Sequence, residues 1–353
     1  MHTELLGVNE SRWQEHLQTL RHDVYHVPEY ISFATRHETP GEPVAIVATE
    51  GDRAMLVPLI VRPIDVEGLR LPGARDAITP HGYSGPIGGQ GDLDFLARAT
   101  AAIRDQLAAQ NIVSVFIRMH PLLSPAPPRP LIGTIVDHGE SVSIDLSISD
   151  DAHWHQTREN HRRGINKAQR AGYRARVDAS LERLNDFVRI YQESMERIGA
   201  AAYWRLGQAY FTDLFESLGP RLHLLVVEWD GDLAAGCLMT ETCGIVEYHL
   251  AGTATAHVSA SPTKLLIHFA RSWAKERGDS VLHLAGSSRP RDSLSYFKVG
   301  FSPLRHAVSS WRMVTDPPSY DALTGEWSRL AGVPSDGPDG FFPAYRKALP
   351  QTG

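Results

Sequence analysis

Two stretches of this sequence carry the same order of signals, and that order limits what the chain can fold into. Residues 44–62, VAIVATEGDRAMLVPLIVR, read as two apolar strands around Glu50-Gly51-Asp52. Residues 222–240, LHLLVVEWDGDLAAGCLMT, read the same way around Asp230-Gly231-Asp232, with the two central glycines 180 positions apart. After the first hairpin, a segment ending in Tyr83-Ser84-Gly85 leads into a helix over about 92–109 and then a buried-type strand, IVSVFIRM (112–119). After the second come the strand VEYHLAG (246–252), a helix and the strand SVLHLAG (280–286). That helix opens at Ser261-Pro262, Ser in the N-cap place and Pro at the first helical position, and closes at Arg277-Gly278. Hairpin, strand, helix, strand, given twice, predicts an α+β protein of two units, each built on a mixed sheet. No residue-level repeat is visible, so this rests on order and spacing.

The chain has 353 residues, more than one ordinary core accommodates, and the expected division is 1–150 and 151–353. Its apolar fraction of 42% and charged fraction of 22% are those of a globular protein. A net charge of −6 excludes a general attraction to nucleic acid, so any RNA contact must be local. The N-terminal residues show no secretory pattern, and no apolar run approaches the roughly 18 residues of a membrane span. Cys237 and Cys243 both fall in strand-like sequence and read as reduced, buried thiols, which points to the cytoplasm. Seventeen histidines match no metal-ligand spacing, and neither a metal nor a resident cofactor is expected.

Between the halves lies a basic segment. After the strand-like HGESVSIDLSIS (138–149), a helix is expected from Asp150-Asp151 with a natural stop at Gly172, the segment carrying Arg158, Arg162, Arg163, Lys167, Arg170 and Arg174. Helical spacing lines up 163, 167, 170 and 174 on one face. Such a face can receive phosphates through positioning contacts or simply be solvated. A second helix is expected over about 181–199.

Four segments in this order resemble the FemABX family: HRRGINKAQRAGY, EYHLAGT, SPTKLL and HLAGSSRPRDSLSYFKVGF (283–301). Members of that family add amino acids to peptide acceptors from aminoacyl-tRNA, on a pair of GCN5-related N-acetyltransferase (GNAT) units. The likeness runs from about Asp23 to Tyr320. It implies a tandem GNAT-like fold and a transfer of an amino acid from aminoacyl-tRNA to the amine of a peptide, a cell-wall precursor or an antibiotic-type small molecule. Phe297-Lys298 resembles the family's Phe-Lys at the aminoacyl-ester site, where a fixed cation would stabilise a tetrahedral oxyanion. Tyr248 resembles a family site tyrosine. Arg197 and Tyr203 stand where the family places an Arg and a Tyr, although through GAAAYWRLGQAYF Arg205 or Tyr210 could hold those places. Arg162, Arg163, Lys167 and Arg170 are the candidates for tRNA contact.

On the acceptor side the chain departs from the pattern. Bridge-forming members have Asp-Pro after the last strand of the first half, whereas this chain has Arg118-Met119-His120-Pro121. That change puts a cell-wall nucleotide precursor in doubt. Arg118, His120, Asp76, Tyr83 and Tyr25 are the candidates for lining an acceptor pocket. The rival donor is acyl-CoA, which in GNAT enzymes sits on a Gly-rich turn opening a helix. Here no glycine lies between 253 and 277, and Pro262 removes one N–H donor. A non-catalytic binding protein on a degenerate acyltransferase fold is the alternative of another class. His249 and His283 are possible bases, with strand alternation pointing His249 away from the face of Tyr248.

Overall fold

A computed structural model describes residues 1–65, 71–126, 132–286, 293–335 and 340–349. The motif residues 287–292 lie outside the described residues. In chain order the elements are β1 (His2–Gly7), α1 (Ser11–Thr19), α2 (Pro28–His37), β2 (Glu42–Glu50), β3 (Arg53–Pro63), β4 (Arg75–Ile78), α3 (Leu93–Ala109) and β5 (Ile112–Arg118). Then follow β6 (Thr134–Asp145), α4 (Asp150–Gln156), α5 (Glu159–Arg170), β7 (Arg174–Val177), α6 (Leu184–Arg197), α7 (Gln208–Leu218), β8 (Leu222–Trp229), β9 (Asp232–Thr242) and β10 (Ile245–Thr253). The chain ends with α8 (Pro262–Glu276), β11 (Val281–Gly286), α9 (Ser293–Lys298), β12 (Leu304–Val314) and α10 (Pro317–Ala331). Among the described residues, no helix is long and apolar enough to cross a membrane.

The chain divides into a first unit of residues 1–138 and 308–353 and a second of 139–307. In the first unit the strand order is β1-β2-β3-β4-β5-β12, with β4 and β5 parallel and the other neighbours antiparallel. In the second it is β7-β8-β9-β10-β11-β6, with β10 and β11 parallel and the others antiparallel. Each parallel pair is joined through a helix, α3 or α8. The two units therefore share one topology, and the predicted duplication holds in element order.

The division differs from the expected cut at 150. Two strands cross the expected cut: β12, after residue 150, pairs β5, and β6, before it, pairs β11. The C-terminal tail is fixed to the first unit as well. Tyr345 hydroxyl and Ser114 Oγ are 2.8 Å apart, and Arg346 bonds the buried Asp76 carboxylate at 2.7 Å. A strand joining a sheet so distant in sequence leaves no local signal, so length alone placed the boundary wrongly.

The second hairpin turns at Asp230 and Gly231, with φ of 48° and 85°, the twist-matched two-residue turn its sequence predicts. Cys243-Gly244, at 47° and 76°, makes another such turn between β9 and β10. Cys243 is therefore an exposed turn residue, contrary to the strand expected there, while Cys237 is buried in β9. The second core packs α5 and α8 on the sheet through Ile165, Leu265, Leu266, Ala270, Val246 and Leu282. Each fully buried Leu or Ile contributes about 2 kcal/mol. α6 lies so close to β9 and β10 that a Cβ on Gly236 would be 2.7 Å from the Phe187 ring, and one on Gly252 2.7 Å from the Tyr191 backbone.

The basic helix is two helices. Thr157 and Arg158 take extended ψ angles of 126° and 141°, and the Arg158 amide bonds Gly300 O at 2.8 Å instead of continuing α4. A tertiary hydrogen bond breaks a segment whose local pattern is helical throughout.

Candidate active site

The residues marked by the Phe-Lys motif gather where β10 and β11 part. These strands are paired at Ile245–Val281, Val246–Leu282 and Glu247–His283, and β10 then continues to Thr253 and β11 to Gly286. Tyr248 follows the last pair. His249 is the extra residue of a β-bulge, since Tyr248 pairs Met239 while Leu250 pairs Leu238. The bulge interrupts strict alternation at His249. Lys298, on α9, is 5% exposed and donates from Nζ to Gly286 O, at the end of β11, at 2.7 Å. Burial raises the pKa of the Cys237 thiol, and Lys298 opposes that rise. Burial also pushes the Tyr248 phenol well above its ordinary value, with Cys237 adding to the effect. The phenol therefore stays protonated near neutral pH.

α9 has only six residues and is held by α5. His161 Nε2 donates to Phe297 O at 2.9 Å, and its ring lies 5.3 Å from Phe297 and 4.7 Å from Phe301. A Cβ on Gly300 would come within 2.4 Å of that imidazole, so glycine is required there. Burial lowers the His161 pKa, which keeps the ring neutral near pH 7. Arg158 stacks on Tyr296 at 4.1 Å. The sequence pattern does not single out His161, because it reads as one more polar residue of a basic helix. Beside the site, Glu247 and His283 are fully buried, with His283 Nδ1 2.8 Å from each carboxylate oxygen. A Glu inside an apolar strand was the available signal for that pair.

The segment from 253 to 261 folds into a closed turn. Thr253 N donates to Ser194 Oγ (2.9 Å), Ala254 N to Ala234 O (3.0 Å) and Thr255 N to Glu193 Oε2 (3.1 Å). His257 N, Ser261 N and Lys264 N bond Ala254 O, Val258 O and Ser261 O. The Thr255 hydrogen bond lowers the Glu193 pKa and keeps a carboxylate against this turn. Ser261 occupies the N-cap place of α8 as expected, but at φ 53° and ψ 50° its side chain makes no capping bond. Arg197 is exposed and clamps the same turn, donating to Thr255 Oγ1 (3.0 Å), Thr253 O (3.2 Å) and Ser194 Oγ (3.1 Å). Tyr203 is 48% exposed and packs edge-on to Trp204, Arg205 is exposed, and Tyr210 is buried against Phe211. On α5, Arg163, Lys167 and Arg170 are exposed, with Arg163 paired to Glu159. Arg162 turns back to Trp154 O at 3.1 Å.

In the first unit the structure brings Tyr25, Tyr83 and His120 together. Tyr83 lies edge-on to Tyr25 at 6.0 Å and to His120 at 6.1 Å between ring centres. Gly82, at φ +96°, would place a Cβ 2.3 Å from the Tyr25 ring. His120 is buried. Its Nδ1 accepts from Leu122 N and Leu123 N at 3.1 and 3.2 Å, so Nε2 carries the proton and donates to Asp23 Oδ2 at 3.0 Å. Asp23 also caps the turn that holds His26, whose pKa falls to about 3 through burial first and His120 second. Asp76 and Arg118 have other duties here. Asp76 binds Arg62 (2.8 Å), Arg346 and Tyr345, and Arg118 donates to Thr79 O (2.8 Å) and packs on Phe116.

Several solved structures share this architecture. FemX aligns over 91% of this chain and 99% of its own, at 10% identity and a TM-score of 0.68. The C-terminal domain of a putative lysylphosphatidylglycerol synthetase from Agrobacterium fabrum covers 88% of this chain and 92% of its own, at 13% identity and a TM-score of 0.54. L-PGS from Bacillus licheniformis covers 88% and 93%, at 12% identity and 0.53. No curated protein matches the sequence. Residues 155–298 match the acetyltransferase (GNAT) domain family, and the chain as a whole has the tandem GNAT-like fold seen in FemX.

Proposed function

We propose that this protein is an amide-forming acyltransferase that moves an amino acid from aminoacyl-tRNA to the amine of a peptide, cell-wall precursor or antibiotic-type small molecule. The observation that carries this reading is the placement of Lys298 and Tyr248 at the divergence of β10 and β11, inside the segment that matches a GNAT domain. A neutral amine attacks the ester carbonyl, the C–N bond forms, and the ribose oxygen leaves with a proton passed through substrate or water. Lys298 supplies positive charge to the developing oxyanion, and the protonated Tyr248 phenol supplies a donor. Phe297 and His161 fix the lysine in place.

The donor assignment is supported by the turn at 253–261. Its amides bond the protein's own groups, and the Glu193 carboxylate held against it is unfavourable to a pyrophosphate there. The exposed Arg163, Lys167 and Arg170 offer a local surface for RNA phosphates. Tyr25, Tyr83 and His120 are the proposed acceptor-side residues, with Arg197 and Tyr203 contacting substrate at the donor turn. The names of the neighbours fit transfer of an amino acid, lysyl in one case, and carry the reading no further than that.

The test is incubation with a mixture of charged tRNAs and candidate amines, with and without RNase, beside a parallel reaction with acyl-CoA. An RNase-sensitive amide product is expected. Amide formed from acyl-CoA alone would replace this donor. Ligand binding without any product would favour the non-catalytic alternative.

A further inference from the structure

The indole of Trp229, at the end of β8, is 38% exposed yet held by three contacts. Its Nε1 donates to the carbonyl of Ala171, which closes α5, at 2.9 Å. Tyr173 stacks against it at 5.9 Å between ring centres, with 27° between the planes. The ring of His257, from the turn at 253–261, stands 5.8 Å from the indole at 60°. Tyr173 hydroxyl and His257 Nδ1 are 2.9 Å apart, which ties the two supports together. An indole has one donor, and Ala171 takes it, so what this residue offers to solvent is flat apolar surface. β8 and β10 run the same way, both antiparallel to β9, so Trp229 lies at the end of the strands where β10 leads into the turn at 253–261. The approach from α5 is cationic. Lys167 and Arg170 are exposed on that helix, and Arg174 is exposed at the start of β7. Arg170 donates to Asn166 O, and Arg174 to Gln169 O and Tyr173 O, bonds that leave their charge without a carboxylate. The turn that follows Trp229 is of opposite sign, with Asp230 and Asp232 both exposed.

A fixed aromatic surface beside a run of cations is the arrangement that holds single-stranded nucleic acid, since phosphates follow the charge and a base stacks on the ring. We propose that Trp229 stacks one unpaired base near the 3′ end of the RNA donor, with the adjoining phosphates on Lys167, Arg170 and Arg174. The inference rests on the aminoacyl-tRNA reading given above and adds the place where the strand is gripped. Asp230 and Asp232 repel phosphate on the far side of the indole, which directs the strand along α5 and brings only a base to the ring. Every base has a π-face, so the contact carries no sequence preference. The supports of the indole are bonded to one another before the RNA arrives, so little ordering cost falls on binding. An anionic lipid surface is the other partner that takes an exposed tryptophan, and the same two acids disfavour it.

The experiment is fluorescence anisotropy of the full chain with 5′-labelled RNA hairpins that share one stem. The first ends in a short unpaired 3′ segment, the second is blunt, and the third carries the same unpaired segment without its bases. The first should bind about tenfold more tightly than either of the others, whatever the sequence of its unpaired end. Trp229→Ala should reduce the first hairpin to the affinity of the blunt one while binding the blunt hairpin as the parent does, which shows the fold and the cationic contacts intact. Trp229→Leu keeps apolar bulk without a π-face and should behave as the Ala variant, and it decides the matter if that variant fails to fold. Trp229→Phe should recover part of the preference. A parent that binds the stem but gains nothing from unpaired bases, or a Trp229→Leu protein that keeps the preference, overturns this inference and leaves the tRNA reading standing. Failure of the parent to bind any hairpin overturns both. Trp229-dependent sedimentation with phosphatidylglycerol vesicles, in a parent indifferent to the unpaired end, overturns it in favour of a membrane contact.

Discussion

Replacing His161 with Ala tests how the reactive lysine is positioned. The substitution removes one of the two donors to Phe297 O, leaving it only Gly300 N, at a cost of about 1 kcal/mol. It also removes ring contacts with Phe297 and Phe301, worth about 0.5–1.5 kcal/mol each. The combined loss is about 3 kcal/mol, and it falls on a helix of only six residues. At about 1.4 kcal/mol per factor of ten, α9 should open roughly 100-fold more often. Amides of Val299, Gly300 and Phe301, which close the turn onto Ser295, Phe297 and Lys298, report that opening by hydrogen exchange. Acyl transfer should fall in parallel, and His161→Gln, which retains an N–H donor, should recover part of both. Activity lost with protection unchanged would refute the positioning role. So would lost protection with kcat intact.

Three further outcomes follow from the structure. His26 has its pKa lowered from 6.5 to about 3, so the unfolded chain takes the proton first. Its contribution is complete above pH 6.5 and is lost as pH falls; His26→Gln should remove about 2 kcal/mol of the stability difference between pH 6.5 and 5, measured by urea unfolding. Asp76→Ala leaves Arg62 and Arg346 without their carboxylate and should cost about 3 kcal/mol in the same assay, with the C-terminal tail becoming protease-sensitive. Changing Arg163, Lys167 and Arg170 together to Gln should flatten the log–log salt dependence of tRNA binding by about 2–3; an unchanged slope would remove α5 from the RNA surface.

Local signals carried much of the fold. The hairpins at 51 and 231, the helices closed by Gln110 and Gly278, and the strands IVSVFIR and VLHLAG stand where their patterns put them. What escaped depends on distant partners. Gly300 O broke a helix that Asp150–Gly172 propensity favours, and the crossing of β6 and β12 over the expected cut erased the boundary at 150. Ser261 signalled its helix correctly through its position, yet left-handed backbone denies it the capping bond that usually explains the signal. At the site, Lys298, Phe297 and Tyr248 were marked as candidates by motif order. His161 and Glu193 were not, because each acts by bonding a backbone group contributed by another element. The ion pair of Asp76, a candidate for the acceptor pocket, with Arg346 was not visible in the sequence, because the arginine comes from the end of the chain.

The central claim is that Lys298 stabilises the charge that develops when an amine attacks an aminoacyl ester. Single-turnover transfer from a charged tRNA to its amine acceptor, compared between the parent and Lys298→Ala, tests it most directly. Loss of one such cation should lower the chemical rate by about 10²–10³, with tRNA and acceptor dissociation constants changed less than threefold. A Lys298→Ala protein that transfers at the parental rate, or one whose whole defect lies in substrate binding, would contradict the account.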